Sequence, residues 1–462
     1  MDQNSFSSLK LRPELLNNIV TLGYTEMTPI QTQSLPHVIE GKDVIAQAKT
    51  GSGKTAAFGL GLLNSVNTSS LRVQSLVLCP TRELADQVAQ AIRQLARTLP
   101  NVKVLTLCGG MPFRPQTTSL QHGAHIVVGT PGRIAKHLRK KSFELDQLKT
   151  LVLDEGDRML EMGFQEQLDS IIDETPKERQ TLLFSATFPD TIQSVADDVM
   201  IDPIMIKIES KHDSSSIKQH FYKVEDNDQR IKALRLLLMQ HRPESTVIFC
   251  NTKKDTITVT DELIDHGFSA LDLHGDLEQR ERDETLVRFA NKSISILVAT
   301  DVAARGLDID SLDAVFNYHV SRDCEVHVHR IGRTGRAGST GIACSIFSEK
   351  EHYKMERLQE FLGEEIKGEV LPDESVLKGK KIVAPMSAIK IKIGKKQKIR
   401  AGNILGALTG ENGLAGTNVG KINIGDNWSY VAVARDCVDF AVEKLAEEQW
   451  KGRPIEGWVI ES

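Results

Sequence analysis

At 462 residues the chain is too long for one ordinary domain and has room for about three, each able to bury its own core. Its 40% apolar and 26% charged residues, with no long apolar run, exclude a membrane-spanning helix, and 5% aromatic residues is thin for a membrane barrel. The net charge of -5 excludes a uniformly basic surface, so any polyanion must be met by a local patch. The six cysteines lie far apart with no CxxC pair, which speaks against a disulfide framework or a metal knuckle. Residues 1–10 lack the basic start and apolar stretch of a secretory signal, and a cytoplasmic protein is expected.

In chain order, short β-branched runs alternate with amphipathic stretches: VIAQ at 44, SLVLC at 75, VKVLTL at 102, IVV at 126, TLVL at 150 and TLLFS at 181. This alternation predicts a parallel sheet wrapped by helices, with ligands at the C-terminal ends of its strands. Polar residues 209–216, ESKHDSSS, read as a hinge. A second series, TVIFC at 246, ALDL at 270, ISILVA at 294, DAVFNY at 313 and IACSIF at 342, predicts a second lobe of the same class over 217–371. The helix around 351–362 is amphipathic and reads as packing for that lobe. Residues 372–381 read as a linker, and 382–462 as βαββαβ with a strand added at the end, the plan of an RNA-recognition-motif domain.

The first lobe carries a phosphate-binding pattern. AKTGSGKT at 48–55, comprising Ala48, Lys49, Thr50, Gly51, Ser52, Gly53, Lys54 and Thr55, follows a strand and precedes an apolar helix. Its glycines let backbone N–H groups fold around phosphate oxygens, Lys54 reaches the β and γ phosphates, and the Thr55 hydroxyl suits Mg2+. Ala48 stands where the general pattern has its first glycine. The strand at 150 runs into Asp154, Glu155, Gly156 and Asp157. There Asp154 is placed to hold Mg2+ and Glu155 to orient and deprotonate an attacking water, which makes ATP and Mg2+ the expected ligands. In HRIGRTGRAG, Arg333 and Arg336 stand three apart, which predicts one side of a helical turn and a pair of arginine fingers worth on the order of 10³ to 10⁵ in rate.

His319, His327 and His329 lie close in sequence, but no carboxylate or thiol stands at ligand spacing, so no metal site is read there. His327 is taken as a surface residue. The run KIKIGKKQKIR at 390–400 holds six cations and no anion. Lys390, Lys392, Lys395, Lys396, Lys398 and Arg400 are therefore the RNA-binding candidates of the C-terminal module, the alternative being a solvated face; Arg435, Lys451, Asn403 and Lys421 are lesser ones.

These motifs, in this order over roughly 6–347, resemble the DEAD-box RNA helicase series. The resemblance implies two tandem RecA-like parallel-sheet lobes (1–208 and 217–371) in an α/β chain, followed by the RRM-like α+β domain. It implies that Phe6, Tyr24 and Gln31, in the block GYTEMTPIQ, read adenine. Pro80, Thr81 and Arg82 of PTREL, Gly109 and Gly110, and Thr130, Pro131 and Arg133 of TPGR would contact the RNA backbone. Ser185 and Thr187 of SAT, with Asp157 and His329, would couple hydrolysis to RNA. In the second lobe Gln279, Arg282, Thr300 and Arg305 would serve RNA, and Asp308 ribose or phosphate. The family's Asp-Glu-Ala-Asp is here DEGD, a loss of one methyl that leaves both carboxylates in place and activity intact.

The resemblance further implies an RNA-stimulated ATPase that opens short duplexes locally, each ATP closing the lobes on one bent strand that a regular duplex cannot supply. The tail resembles RNA-binding domains of bacterial ribosome-assembly helicases and implies a hairpin of 23S ribosomal RNA and pre-large-subunit particles as partners, with a monomeric chain. Two other readings stay open: an ATP-dependent RNA clamp or scaffold without essential unwinding, and a general helicase of mRNA turnover or cold adaptation. Glu155→Gln separates clamp from remodeller, because only a remodeller stalls when hydrolysis is blocked.

Overall fold

Six runs of apolar residues in the first 208 positions become the strands Val44–Gln47 (β1), Ser75–Leu78 (β2), Val104–Leu107 (β3), Ile126–Gly129 (β4), Thr150–Asp154 (β5) and Gln180–Ser185 (β6). A seventh, Ile204–Lys207 (β7), joins β1 at the edge. The computed structural model describes residues 4–48, 51–188, 190–208, 217–304, 312–335 and 341–460. Among them the first sheet has the order β3-β4-β2-β5-β6-β1-β7, with every neighbouring pair parallel. The chain divides into two units, 1–212 with 306–308, and 213–305 with 309–462. The hinge read at 209–216 lies outside the described residues.

Alternation along each strand sends side chains to two cores, one on each face of the first sheet. Val44, Ala46, Val77, Val128, Val152 and Phe184 pack with Leu15, Ile30, Phe58, Leu62, Val88 and Ile92. Ile45, Leu76, Leu78, Leu151, Leu153 and Leu183 pack with Leu120, Ile134, Met159, Leu168, Ile171 and Ile192 on the other face. Phe58 meets Phe184 edge-on at 5.3 Å, and each fully buried ring contributes roughly 1.5–3 kcal/mol. This double burial makes the sheet a rigid platform. Its order sets the C-terminal ends of β2, β5, β6 and β1 side by side, which is where the motifs emerge.

In the second unit Ile217–Val224 (β8), Thr246–Cys250 (β9), Ala270–Leu273 (β10), Ile296–Thr300 (β11), Ala314–Asn317 (β12) and Gly341–Ser348 (β13) form a parallel sheet of order β10-β11-β9-β12-β13-β8. The helix His352–Leu362 seats Met355 and Leu358 against Phe221, Val320 and Phe347, as its pattern predicted. Residues 372–381 are a linker that is packed down. The 3-10 turn Glu374–Lys378 lays Val376 and Leu377 on the lobe's core, Glu374 pairs with Lys232, and Ile382 is buried in the same core. The second lobe therefore extends past 371 and takes in Ile382, which the sequence had given to the last domain.

That last domain follows the predicted order. Met386–Ile391 (β14), Val419–Ile424 (β15), Ser429–Ala434 (β16) and Gly457–Val459 (β19) form an antiparallel sheet of order β15-β16-β14-β19. Between the helix Val438–Glu447 and β19, a hairpin of Gln449–Trp450 (β17) and Arg453–Pro454 (β18) is added. The helices Ala401–Thr409 and Val438–Glu447 cover one sheet face, with Ile389, Ile391, Val431 and Val433 meeting Ile404, Leu408, Ala441 and Leu445.

Candidate nucleotide and RNA sites

β1 ends at Gln47 and the helix Lys54–Ser65 begins at Lys54, so the glycine-rich turn sits over that helix's N-terminus, where free N–H groups and the helix dipole attract anions. Gly53 caps it at φ +96°, and a Cβ there would lie 2.5 Å from the Gln31 amide. Only glycine tolerates both constraints. A cavity of about 390 Å³ opens at this point, bounded by Tyr24, Thr28, Gln31, Gly51, Gly53, Lys54, Thr55, Asp154 and Glu155. Lys54 is buried and its ammonium donates to the Ala48 carbonyl at 3.0 Å. Lys49 and Thr50 lie outside the described residues.

Asp154 closes β5 and is 3% exposed. Burial, reinforced by the negative charges of Glu155 and Asp157 and opposed by Lys54, pushes its carboxyl up to about 7. A carboxylate held so reluctantly ionised, beside a hydroxyl and a buried ammonium, is a hard-oxygen site waiting for positive charge. Glu155 follows in a left-handed conformation, φ 52°. That turn re-aims the chain into the helix Gly156–Glu161 and places Glu155 on the cavity wall. Among the described residues no cluster of three or more His, Cys, Asp or Glu forms a separate metal site.

Asp157 is buried and tied to the end of β6. Its carboxylate accepts from the Thr187 hydroxyl at 2.6 Å, the Thr187 amide at 3.1 Å and the Arg158 amide at 3.0 Å. Burial works against ionisation, but these bonds and the Arg158 charge outweigh it and hold the carboxyl below its usual range. Ser185 is fully buried, and its carbonyl accepts from the Ala48 amide. The three sequence motifs are therefore one connected structure.

The block expected to read adenine behaves as a strut in this structure. Gln31 is 1% exposed, its carbonyl oxygen accepts from the Thr28 amide at 3.0 Å, and its NH2 donates to the Gly53 carbonyl at 3.1 Å. Phe6 is buried in the lobe's core with its ring edge-on to Tyr24 at 6.2 Å, while Tyr24 is exposed at the cavity.

The motifs expected to contact RNA backbone gather at neighbouring strand ends of the same sheet. Thr81 caps the helix Arg82–Leu95 by accepting from the Leu84 amide, and Pro80 is buried beneath it. Gly109 and Gly110 follow β3 and are exposed, Thr130 and Pro131 open the helix Pro131–Arg139, and Arg133 is half-buried on it.

In the second lobe Gln279 donates to Asp283 at 2.8 Å and Arg282 to the Ala303 carbonyl at 2.7 Å, while Thr300 ends β11 and accepts from the Ala303 amide. Arg305, Asp308 and Arg336 lie outside the described residues. Gly332 caps the helix Cys324–Ile331, Arg333 follows in a turn, and Thr334 bridges Leu312 with its hydroxyl on the Leu312 carbonyl. The expected pairing of Arg333 with Arg336 on one helical turn falls partly outside the described residues. One reading is corrected here: His327 is not a surface residue; it is 1% exposed, with Nε2 on Gln219 at 3.1 Å, and burial drops its pKa to about 3.

Sequence reasoning passed over Arg330. It is 2% exposed, forks onto Asp301 at 2.6 and 2.7 Å, and donates to Asn317 and the His319 carbonyl. Such a bidentate buried pair locks the strand ends of the second sheet together. The cue was an arginine directly after His329 in HRIGRTGRAG.

The basic run divides in two. Lys390 is 6% exposed and turns towards the second lobe, where it pairs with Glu284 and lies over the rings of Trp428 and Tyr430. Tyr430 also donates to Glu284, and Arg280 stacks over Trp428. Lys390 is thus occupied, together with much of the open face of its sheet. Lys392 is exposed beside Glu456. Lys395, Lys396, Lys398 and Arg400 are exposed on a loop pinned by the Lys395 and Lys396 amides to the Gly425 and Asp426 carbonyls. Asn403 caps the following helix at the Arg400 amide, and Arg435 donates to the Ala384 carbonyl.

Residues 28–195 match the DEAD/DEAH box helicase family, 229–338 the helicase conserved C-terminal domain, and 388–457 the DbpA RNA binding domain. The chain is 51% identical over 454 residues to the ATP-dependent RNA helicase DbpA of Escherichia coli, covering 98% of each protein. It is 42% identical over 355 residues to the DEAD-box ATP-dependent RNA helicase CshA of Bacillus cereus, covering 77% of this chain and 67% of that one. Among solved structures it is similar to S. cerevisiae Dbp5 bound to RNA and ADP BeF3, at 30% identity and TM-score 0.73, over 81% of this chain and 98% of that one.

Proposed function

The chain belongs to the DEAD-box ATP-dependent RNA helicases, and from that premise we propose that it remodels 23S ribosomal RNA during assembly of the large ribosomal subunit. The observation that carries this reading is the pairing of a complete helicase core with a domain of the DbpA RNA-binding type at 388–457, in a chain matched end to end by the E. coli protein. A core alone grips RNA backbone without regard to sequence. A second module therefore has to supply the address.

The chemistry proposed for the core follows its residues. Lys54 and the turn at 51–53 hold the phosphates, Thr55 and Asp154 are the residues suited to Mg2+, and Glu155 positions and deprotonates water. When bound, Mg2+ would neutralise charge developing on the phosphates. Arg333 and Arg336 would stabilise the transferring phosphoryl group. Asp157 with Ser185 and Thr187, together with His329, would report hydrolysis to the strand ends that carry Thr81, Gly110, Thr130 and Arg133. Unwinding would be local and non-processive, by a monomer in the cytoplasm. Among the described residues no helix is long and apolar enough to cross a membrane.

In the C-terminal domain the RNA hairpin would meet Lys392, Lys395, Lys396, Lys398 and Arg400. The test is ATP hydrolysis by the full chain with a 23S hairpin fragment or with poly(A), in the wild type and in a Lys395→Glu, Lys396→Glu, Lys398→Glu variant. The hairpin should stimulate the wild type far more than poly(A) does, and the variant should lose only the hairpin's advantage. Equal stimulation of both proteins by both RNAs would remove the ribosomal assignment and leave a general RNA helicase.

A further inference from the structure

Between the Gly109-Gly110 loop and Arg133 stands a side chain that no motif includes. Gln116, half-buried on the helix Phe113–Gln121, uses both ends of its amide: the NH2 donates to the Cys108 carbonyl at 3.1 Å, and the oxygen accepts from Arg133 at 2.8 Å. The same oxygen is 3.0 Å from Nε2 of His137, which sits one turn beyond Arg133 on the next helix. The His137 ring stacks on Phe113 at 4.1 Å and 14°. The Arg133 guanidinium and the Lys136 ammonium lie over Phe113 at 5.8 and 5.4 Å.

We propose that Gln116 is a positioning residue that locks the Gly109-Gly110 loop and the Arg133 guanidinium into one rigid RNA-backbone receptor, with the stacked Phe113 and His137 rings as its base. An amide fits this place for a chemical reason. It must donate to a carbonyl on one side and accept from a cation on the other, and among uncharged side chains of this length only glutamine does both. A carboxylate would face the Cys108 carbonyl without a proton to give, and an apolar chain would remove the bonds to the Cys108 carbonyl, Arg133 and His137 together.

His137 gives its Nε2 proton to the Gln116 oxygen, and a charged ring there would add a second cation beside Arg133. Burial, assisted by the charges of Arg133 and Lys136, lowers its pKa to about 4. Its neighbours on the other helix, Phe113 and Gln116, carry no charge. The imidazole therefore stays neutral through the physiological range and adds no pH dependence of its own to the receptor.

This inference rests on the reading that Arg133 and the Gly109-Gly110 loop contact RNA backbone, and the experiment separates the two. ATP hydrolysis by the full chain is followed against the concentration of single-stranded RNA for wild type, Arg133→Ala, Gln116→Met and Gln116→Glu, between pH 5.5 and 8. Gln116→Met should raise the RNA concentration for half-maximal rate about tenfold while the rate at saturating RNA changes by less than about twofold, the loss of the charge-assisted bond to Arg133 and the neutral bonds to Cys108 and His137 being felt in RNA binding. Gln116→Glu should show what a merely structural role cannot. Its new carboxylate faces His137 and lifts that residue's pKa, so half-saturation becomes pH-dependent while the wild type stays flat. If Arg133→Ala weakens RNA dependence and neither Gln116 variant does, the clamp is refuted and the RNA reading stands. If Arg133→Ala itself has no effect, the RNA reading fails and the clamp with it.

Discussion

Replacing Asp154 with asparagine should stabilise the ligand-free protein at pH 8 and do little at low pH. The folded carboxyl keeps its proton to about 7, against 3.8 for a solvated aspartate, because it is 3% exposed and has Glu155 and Asp157 for neighbours. Unfolding therefore releases a proton throughout that window, and stability falls as pH rises from about 4 to about 7, then levels off. Three pKa units correspond to about 4 kcal/mol, of which roughly 3 accrue above pH 5.

Asparagine is isosteric and carries no charge, so this loss disappears. For a lobe of this size about 3 kcal/mol is roughly 6–12 °C in its melting transition. The assay is thermal unfolding of the full chain in chelator, without nucleotide, at pH 5 and pH 8. An Asn variant equally displaced at both pH values, or less stable than wild type at pH 8, would refute the idea that stability is held back here for ligand binding. ATPase activity of the variant should be lost at both.

Glu284→Ala should strand Lys390 as an unpaired buried ammonium against Trp428 and Tyr430, at a cost of about 3–5 kcal/mol. Hydrogen exchange at β14 and β16 should quicken by orders of magnitude, and unchanged protection would show that the pair holds nothing. Arg230→Met removes a 2% exposed guanidinium that serves Glu351 at 2.5 Å and the Tyr318 and Ile346 carbonyls, so the second lobe should lose about 3–5 kcal/mol in denaturant titrations. Although burial opposes it, Arg230 and Lys354 hold the Glu351 carboxyl below its usual range. That contribution is present above pH about 4.5 and fades below, so the gap between variant and wild type should narrow on acidification. Gly156→Ala places a methyl 3.3 Å from Ile192 and 3.8 Å from Leu183, a contact that small side-chain shifts absorb. It should stabilise the helix it opens by about 0.5–1 kcal/mol and leave the ATPase rate within about twofold, as melting and steady-state kinetics will show.

Most of the core was legible because its signals are local. A strand buried on both faces is a continuous apolar run, and the phosphate turn, DEGD and SAT each sit at the end of one, so reading the runs located the site. The edge strands β7 and β8 were missed for the converse reason. IMIK and IKQHFYKV mix exposed and buried positions, and they take their pairing from β1 and β13, far along the chain. Ile382 was assigned to the wrong domain because the polar stretch before it looked like free linker, whereas Val376 and Leu377 are enough to pin it.

Lys390 is the most instructive case, because two correct local rules gave an incomplete result. Strand alternation puts Ile389 and Ile391 into the domain's own core and Lys390 on the opposite face, and a lysine on an open sheet face inside a run of cations reads as a phosphate contact. What covers that face is the helix Gln279–Ala290, whose Glu284 lies 106 positions earlier. No pattern within a window of ordinary length can join the two. Charge in a sequence therefore locates a basic stripe, but only tertiary structure decides which of its members face solvent. Here the division falls between a strand, where pairing fixes side-chain direction, and the following loop, where Lys395, Lys396, Lys398 and Arg400 stay exposed. A domain held to its lobe through the sheet has to recognise RNA elsewhere, which is why the loop cations and not the sheet aromatics carry the proposed address.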